Sequence, residues 1–228
     1  IILDKNNKES KNFILNLKNK YSTNPYFINC DISKEKNVSK SYLKIIEKFT
    51  KIDALINNAA INPKIDKTNF NKSLLENYPI NQLNNEMAVG ITGSLICTKI
   101  IGSHLAKNKA GSIINISSDL GVIAPNQSIY NTGNKIKKAK PVSYSIVKSA
   151  IIGLTKYTST YWASKNVRCN AIAPAGIYEN QDKKFVKKIS DLIPMNRMAK
   201  KEDLKGVLIL LLSDSSSFLN GQTILIDG

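Results

Sequence analysis

Apolar and polar positions along this chain follow two rhythms. Short apolar or β-branched runs occur at Ile1–Leu3, Tyr26–Cys30, Ile52–Ile56, Ser112–Ile116, Val167–Ala171 and Thr223–Ile226, and each predicts a short buried strand. Between them the apolar residues recur every three to four positions, as on one face of a helix. This spacing predicts a helix over 8–21 with Phe13, Ile14, Leu17 and Tyr21 inward, and a second one, capped by Ser33, with Val38, Tyr42, Ile45, Ile46 and Phe49 inward. A long helix from Leu83 to Lys107 is apolar around much of its circumference (Met87, Val89, Leu95, Ile96, Ile100, Ile101). That predicts burial on two sides, against the sheet and against a second subunit. A helix from Tyr144 to Lys165 carries Val147, Ile151, Leu154, Thr158 and Tyr161 along one stripe, and Asp203–Leu212 is the last helix. Asn62–Asn77 and Asp119–Pro141 read as long polar loops, and Tyr178–Met198 as a partly helical excursion.

Strands alternating with amphipathic helices predict an α/β fold, a doubly wound parallel sheet of Rossmann-like type with right-handed crossovers. No repeat or linker divides the chain, so residues 1–228 read as a single domain. Ligands of such sheets bind beyond the carboxyl ends of the strands. Asp4, Asp31, Asn57, Ser118 and Pro174 each follow a predicted strand.

Composition narrows the classes. The net charge of +16 invites a nucleic-acid partner, but the lysines are spread over the helices and no nucleic-acid module is present. The lysines of the long loop, Lys135, Lys137, Lys138 and Lys140, read as a solvated surface, with contact to a substrate phosphate as the sharper alternative. Cys30, Cys97 and Cys169 sit in separate apolar segments and read as buried thiols of a reducing, cytoplasmic protein. His104 is the sole histidine and reads as a helix side chain, so no metal site is expected. No apolar run approaches the length of a bilayer, and no membrane partner is expected. Tyr157, Tyr161 and Trp162 read as packing residues.

The candidate chemistry lies in Tyr144-Ser145-Ile146-Val147-Lys148. Four residues apart on a helix, Tyr144 and Lys148 share a face. An ammonium beside a phenol stabilises the phenolate and lowers its pKa toward neutrality, which suits proton transfer. Taken singly, Asp4 and Asp31 could equally be ordinary strand-end acids, and Ser117-Ser118 a turn.

Five motifs in order are similar to one family across all 228 residues: Asn57-Asn58-Ala59-Ala60, Asn115-Ile116-Ser117-Ser118, Tyr144-x-x-x-Lys148, Asn170-Ala171-Ile172-Ala173-Pro174, and Gly221-Gln222 with Asp227-Gly228. The chain resembles the short-chain dehydrogenase/reductases. The resemblance implies an NAD(P)-dependent enzyme that interconverts a hydroxyl and a carbonyl on a small molecule. Tyr144 would move the proton, Lys148 would lower its pKa and hold the nicotinamide ribose, and Ser118 would polarise the substrate oxygen. Asp4 would take the adenosine ribose, Asp31 and Ile32 the adenine, Asn57 and Ala59 the cofactor backbone, and Ile177 the nicotinamide amide; contacts at Pro174 complete the set. An acid at Asp4 favours NAD over NADP, and Lys5 beside it weakens that preference.

Three departures accompany the likeness. The chain opens at what resembles strand two, so a central first strand and its glycine-rich turn are expected to be absent, and the chain reads as a fragment. Gly90 stands where the family usually has an active-site Asn. Pro174-Ala175 replaces a Pro-Gly pair, and Glu179 stands near a usual Thr. The long loop before Tyr144, Tyr161-Trp162-Ala163 and Ile193–Met198 are similar to oxidoreductases of flagellin modification and surface-sugar biosynthesis. The alternatives are a 3-oxoacyl thioester reductase and a catalytically silent dinucleotide-binding partner, which Gly90 would suit. The two apolar long helices predict a homo-oligomer.

Overall fold

The computed structural model describes residues 1–62, 70–131 and 137–228. Its strands are β1 (Ile2–Asp4), β2 (Phe27–Asn29), β3 (Ala54–Asn57), β4 (Gly111–Ile116), β5 (Val167–Pro174) and β6 (Thr223–Ile226). The helices are α1 (Asn7–Tyr21), α2 (Glu35–Phe49), α3 (Ile80–Lys107), α4 (Val142–Tyr161), α5 (Lys183–Ser190) and α6 (Lys205–Leu212). Every strand pair is parallel, which the helical crossovers between the strands allow.

The strands do not form one continuous sheet. β1 pairs only with β2, and β3-β4-β5-β6 make a separate four-stranded sheet. A ladder needs neighbours less than about 5 Å apart. Among the described residues no strand joins β1 to β3.

Helices cover both faces of the larger sheet. On β4, Ile113 and the adjacent Ile114 are both fully buried, one toward each face. Ile113 belongs to the main core with Leu55, Ile96, Ile101, Leu105, Val167 and Cys169. Ile114 packs with Ile172 and with Leu211 of α6. Cys30 and Val38 carry the β1–β2 layer into the main core. All three cysteines are buried and free.

Helix α3 is longer than its apolar spacing predicted. Its 28 residues meet the length and composition of a bilayer span, contrary to the sequence reading, but half of that apolar window is buried inside the protein. It also widens into π-helical turns over Ala88–Gly93 and Thr98–Gly102. Gly90 and Gly93 lie in the first of these. A Cβ at Gly90 would overlap Val147 of α4, and one at Gly93 would lie 2.8 Å from the Ile32 side chain. Two glycines thus let α3 touch α4 and the loop after β2.

Several other expectations are corrected. Ile14 and Leu17 are half-buried while Phe13 and Tyr21 are exposed, Phe13 at 53%, so α1 turns only part of its apolar face toward β1 and β2. Ser33 does not cap α2, which starts after Lys34. Its N–H and hydroxyl turn back to donate to Asp31 Oδ1 at 3.0 and 2.7 Å. Helix α4 ends at Tyr161, and a 3₁₀ turn follows over Ala163–Lys165. Tyr157 and Tyr161 are exposed and stacked at 5.6 Å, while Trp162 packs on the core as expected. His104 is the helix side chain expected, bonded through Nδ1 to the Tyr42 hydroxyl and through Nε2 to Asn108. Lys135 and part of the Asn62–Asn77 stretch lie outside the described residues.

A polar knot ties the sheet to the helices. Fully buried Asn115 accepts from Asn57 Nδ2 at 2.8 Å and donates to Thr155 Oγ1 of α4 at 2.8 Å. Asn57 also donates to Thr98 of α3 at 3.0 Å. Asn115→Leu keeps the number of side-chain heavy atoms but removes both hydrogen bonds and leaves Asn57 and Thr155 without this partner, so it is expected to destabilise the fold by about 1–3 kcal/mol, read as a lower urea midpoint at constant slope.

Candidate active site at the carboxyl ends of the strands

The carboxyl ends of β4 and β5 and the first two turns of α4 build one site. Ser117 leaves β4 and donates its hydroxyl to the Lys148 carbonyl at 2.8 Å, which fixes the start of α4 against the sheet. Ser118 is buried, and its hydroxyl lies 2.6 Å from Asp119 Oδ1 and 3.4 Å from the Pro174 carbonyl of β5. Asp119 Oδ1 also accepts from the Leu120 N–H at 2.7 Å, so the acid is held beside Ser118.

Tyr144 is half-buried next to this group. Burial pushes its phenol above the ordinary value; hydrogen bonding to Ser118 pulls it down, and the charge of Asp119 pushes it up again. The spacing alone suggested that Lys148 would lower it; in this structure burial, Ser118 and Asp119 set it. The Lys148 ammonium instead donates to the Ile116 carbonyl at 2.8 Å and lies 5.8 Å from the Tyr144 ring centroid. Burial lowers Lys148 to about 8, helped by the nearby charge of Lys140. A phenol kept protonated at neutral pH is a proton donor, suited to an oxygen that gains negative charge.

Two further residues at this site, Asp119 and Tyr130, were not singled out by the sequence, and a third, Lys140, was named there only among the loop lysines. Asp119 follows Ser118 directly, and a Ser-Asp pair after a strand is the signal that could have marked it. Tyr130 is half-buried, close enough to Tyr144 and Asp119 to feel both, and its phenol is pushed up to about 12, chiefly by burial. No local signal marks it, since it reaches the site only through the fold of its loop. Lys140 was read as solvated, but its Nζ stands 3.7 Å from the Tyr144 ring centroid.

The remaining candidates lie along the same edge. Asp4, Asn57 and Pro174 are the last residues of β1, β3 and β5. Asp31 follows β2, and Ser33 together with the charges of Lys5 and Lys34 holds its carboxyl below the usual range. Ile32 packs on α3 at Gly93, and Ala59 is exposed. The Asn57 side chain is occupied by the polar knot, leaving only its backbone for a ligand. Ile177 bridges to Ala199 beyond β5. Glu179 is turned to Lys201 at 3.0 Å on the surface.

These residues fit the two ends of a dinucleotide. Exposed Asp4 offers a carboxylate to ribose hydroxyls, and Lys148 stands at the reacting end. A glycine-rich turn for a pyrophosphate is not found among the described residues. Nor is any group of three or more metal-ligating side chains.

Known proteins resemble the chain over nearly its whole length. A family model described as enoyl-(acyl carrier protein) reductase matches residues 1–228. The chain is 29% identical over 208 residues to a 3-oxoacyl-[acyl-carrier-protein] reductase of Thermotoga maritima, covering 90% of this chain and 75% of that protein. It is 26% identical over 211 residues to a post-translational flagellin modification protein of Campylobacter coli, covering 92% and 80%. A short-chain dehydrogenase of Leptospira borgpetersenii, solved with bound NAD+, superposes with a TM-score of 0.81 at 28% identity, covering 92% of this chain and 77% of that one.

Proposed function

This chain belongs to the short-chain dehydrogenase/reductase family, and from that premise we propose that Ser118, Tyr144 and Lys148 form its catalytic group. The chain is an NAD(P)-dependent oxidoreductase. The reaction we assign is the interconversion of a hydroxyl and a carbonyl on a sugar precursor for surface glycan or flagellin modification. The observation that carries the chemistry is the half-buried Tyr144 set beside the buried Ser118, with the Lys148 ammonium 5.8 Å from its ring centroid.

In this reading the nicotinamide supplies or takes the hydride. Ser118 donates to the substrate oxygen and polarises it. Tyr144 delivers the proton to that oxygen or removes it. Lys148 holds positive charge beneath the reacting end. Asp4 and Asp31 take the adenosine end, and Asp4 favours NAD over a 2′-phosphorylated cofactor. Ile32, Ala59, the Asn57 backbone, Pro174 and Ile177 line the path between the ends. The similarity to the Campylobacter coli protein supports the sugar class, and three buried free thiols suit a cytoplasmic protein. The exposed face of α4, with Tyr157 and Tyr161, and Leu95 of α3 suit a homo-oligomer.

The second reading, a 3-oxoacyl thioester reductase, is favoured by the similarity to the Thermotoga maritima protein. Oxidation of NADH and NADPH with a panel of keto sugars and with an acetoacetyl thioester separates the two. Turnover of the sugars with NADH is the expected result. Turnover confined to the thioester would replace the first reading with the second.

A further inference from the structure

Residues 137–141 are clamped in place rather than loose on the surface. The N–H groups of Lys137 and Lys138 donate to Asn131 Oδ1 at 2.8 and 2.9 Å. The N–H of Ala139 donates to Ser73 Oγ at 3.0 Å, and that of Lys140 to Gln127 Oε1 at 2.8 Å. Pro141 then fixes the entry into α4. Lys137 stays exposed, but the Lys140 side chain turns inward across the face of Tyr144.

There it meets no carboxylate among the described residues. Its side-chain partner is the neutral Asn62 Oδ1 at 3.1 Å. Two acids lie near enough to act on it, Asp119 and Glu86, and both are engaged elsewhere. Asp119 is bonded to Ser118 and Leu120, and buried Glu86 to the Tyr78 hydroxyl at 2.9 Å and Gln82 at 3.0 Å. Burial lowers Lys140 to about 8, so the ammonium form still dominates at neutral pH. A partly desolvated ammonium whose direct partner is a neutral amide gains strongly from a charge-assisted hydrogen bond to an anion.

We propose that Lys140 is a specificity-determining residue that binds an anionic group, carboxylate or phosphate, carried by the substrate close to its reacting carbonyl. This rests on the assignment of Tyr144 as the proton-transfer residue. The placement over the Tyr144 ring puts the charge near the reacting carbon rather than at the end of a long substrate tail. It also gives Lys140 a task distinct from that of Lys148, which faces the Ile116 carbonyl.

Titration calorimetry of the full chain with NADH tests the site without needing the true substrate. The probes are tartronate, glycerol 3-phosphate and neutral glycerol. The variants are Lys140→Met, Lys140→Gln, Lys140→Arg and, as a control for net charge, Lys165→Met on the exposed turn after α4. Wild type is expected to bind at least one anion about tenfold or more tighter than glycerol. Lys140→Met and Lys140→Gln should each lose that preference at unchanged melting temperature, Lys140→Arg should keep most of it, and Lys165→Met all of it. The tighter anion identifies carboxylate or phosphate as the group recognised. Equal binding of anions and glycerol by wild type, or anion binding unchanged in both neutral variants, overturns the proposal. NADH oxidation with dihydroxyacetone, its phosphate and hydroxypyruvate gives the separate test of the redox reading. Lys140-dependent anion binding with no turnover of any carbonyl compound would count against the redox reading and leave the anion site standing.

Discussion

Tyr144→Phe abolishes turnover while leaving cofactor affinity nearly unchanged. Removing one oxygen deletes the group placed to carry the proton. A positioned acid–base residue contributes about 10²–10⁴-fold to rate, and a loss in that range is expected in kcat. The phenyl ring keeps its place beneath Lys140, since that contact is made by the ring face. Lys148 keeps its bond to the Ile116 carbonyl, so the proposed ribose contact survives. Fluorescence titration with NADH should therefore give a Kd within about threefold of wild type, well under 1.4 kcal/mol. A variant that turns over at the wild-type rate would remove Tyr144 from the mechanism. One that loses NADH binding instead would make the hydroxyl a binding group.

Gly90→Asn, which restores the residue usual for the family, is expected to damage the protein rather than improve it. The position faces Val147, and even a Cβ would overlap that side chain. Overpacking a close helix contact costs about 1–3 kcal/mol. An amide buried without assured partners adds about 1–3 kcal/mol. Together they predict destabilisation on the order of 2–6 kcal/mol, visible as a lowered thermal midpoint or as insoluble expression. Val147→Ala in the same chain should recover part of the loss, because the residues are in direct contact and their effects are not additive. A Gly90→Asn variant as stable as wild type, with faster turnover, would show that the helix contact yields and that a proton relay can be rebuilt there. Val147 is the neighbour of Lys148, so pushing it away also disturbs the lysine.

What the sequence made legible was periodicity and motif order. β4 and β6 were placed to within a residue, because a period of two or a fully apolar run survives without knowledge of neighbours. Ser118, Tyr144 and Lys148 converge because strand ends and the first turn of the next long helix meet in any parallel α/β sheet. Features decided by tertiary partners were not legible. The stripe of α1 looks as amphipathic as that of α2, yet Val38 and Ile45 are buried and Phe13 is not. Ser33 could cap a helix or close a turn on Asp31, and proximity to the acid decided it. Lys140 could not be told from Lys137, because the direction of a loop side chain depends on the clamps at Asn131, Ser73 and Gln127.

The division of the strands into two sheets bears on how a long ligand would be held. Asp4 and Asp31 ride on the β1–β2 layer, while Ser118, Tyr144 and Lys148 ride on the four-stranded sheet and α4. Among the described residues no backbone ladder joins the layers. They meet through side chains such as Cys30, Val38 and Leu55, and through the exposed Glu35–Lys99 pair at 2.8 Å. A ligand that reaches only Tyr144 touches the larger sheet alone. One that spans from Asp4 to Lys148 would touch both layers and add a link between them, so the folded chain would gain stability as that ligand's concentration rises.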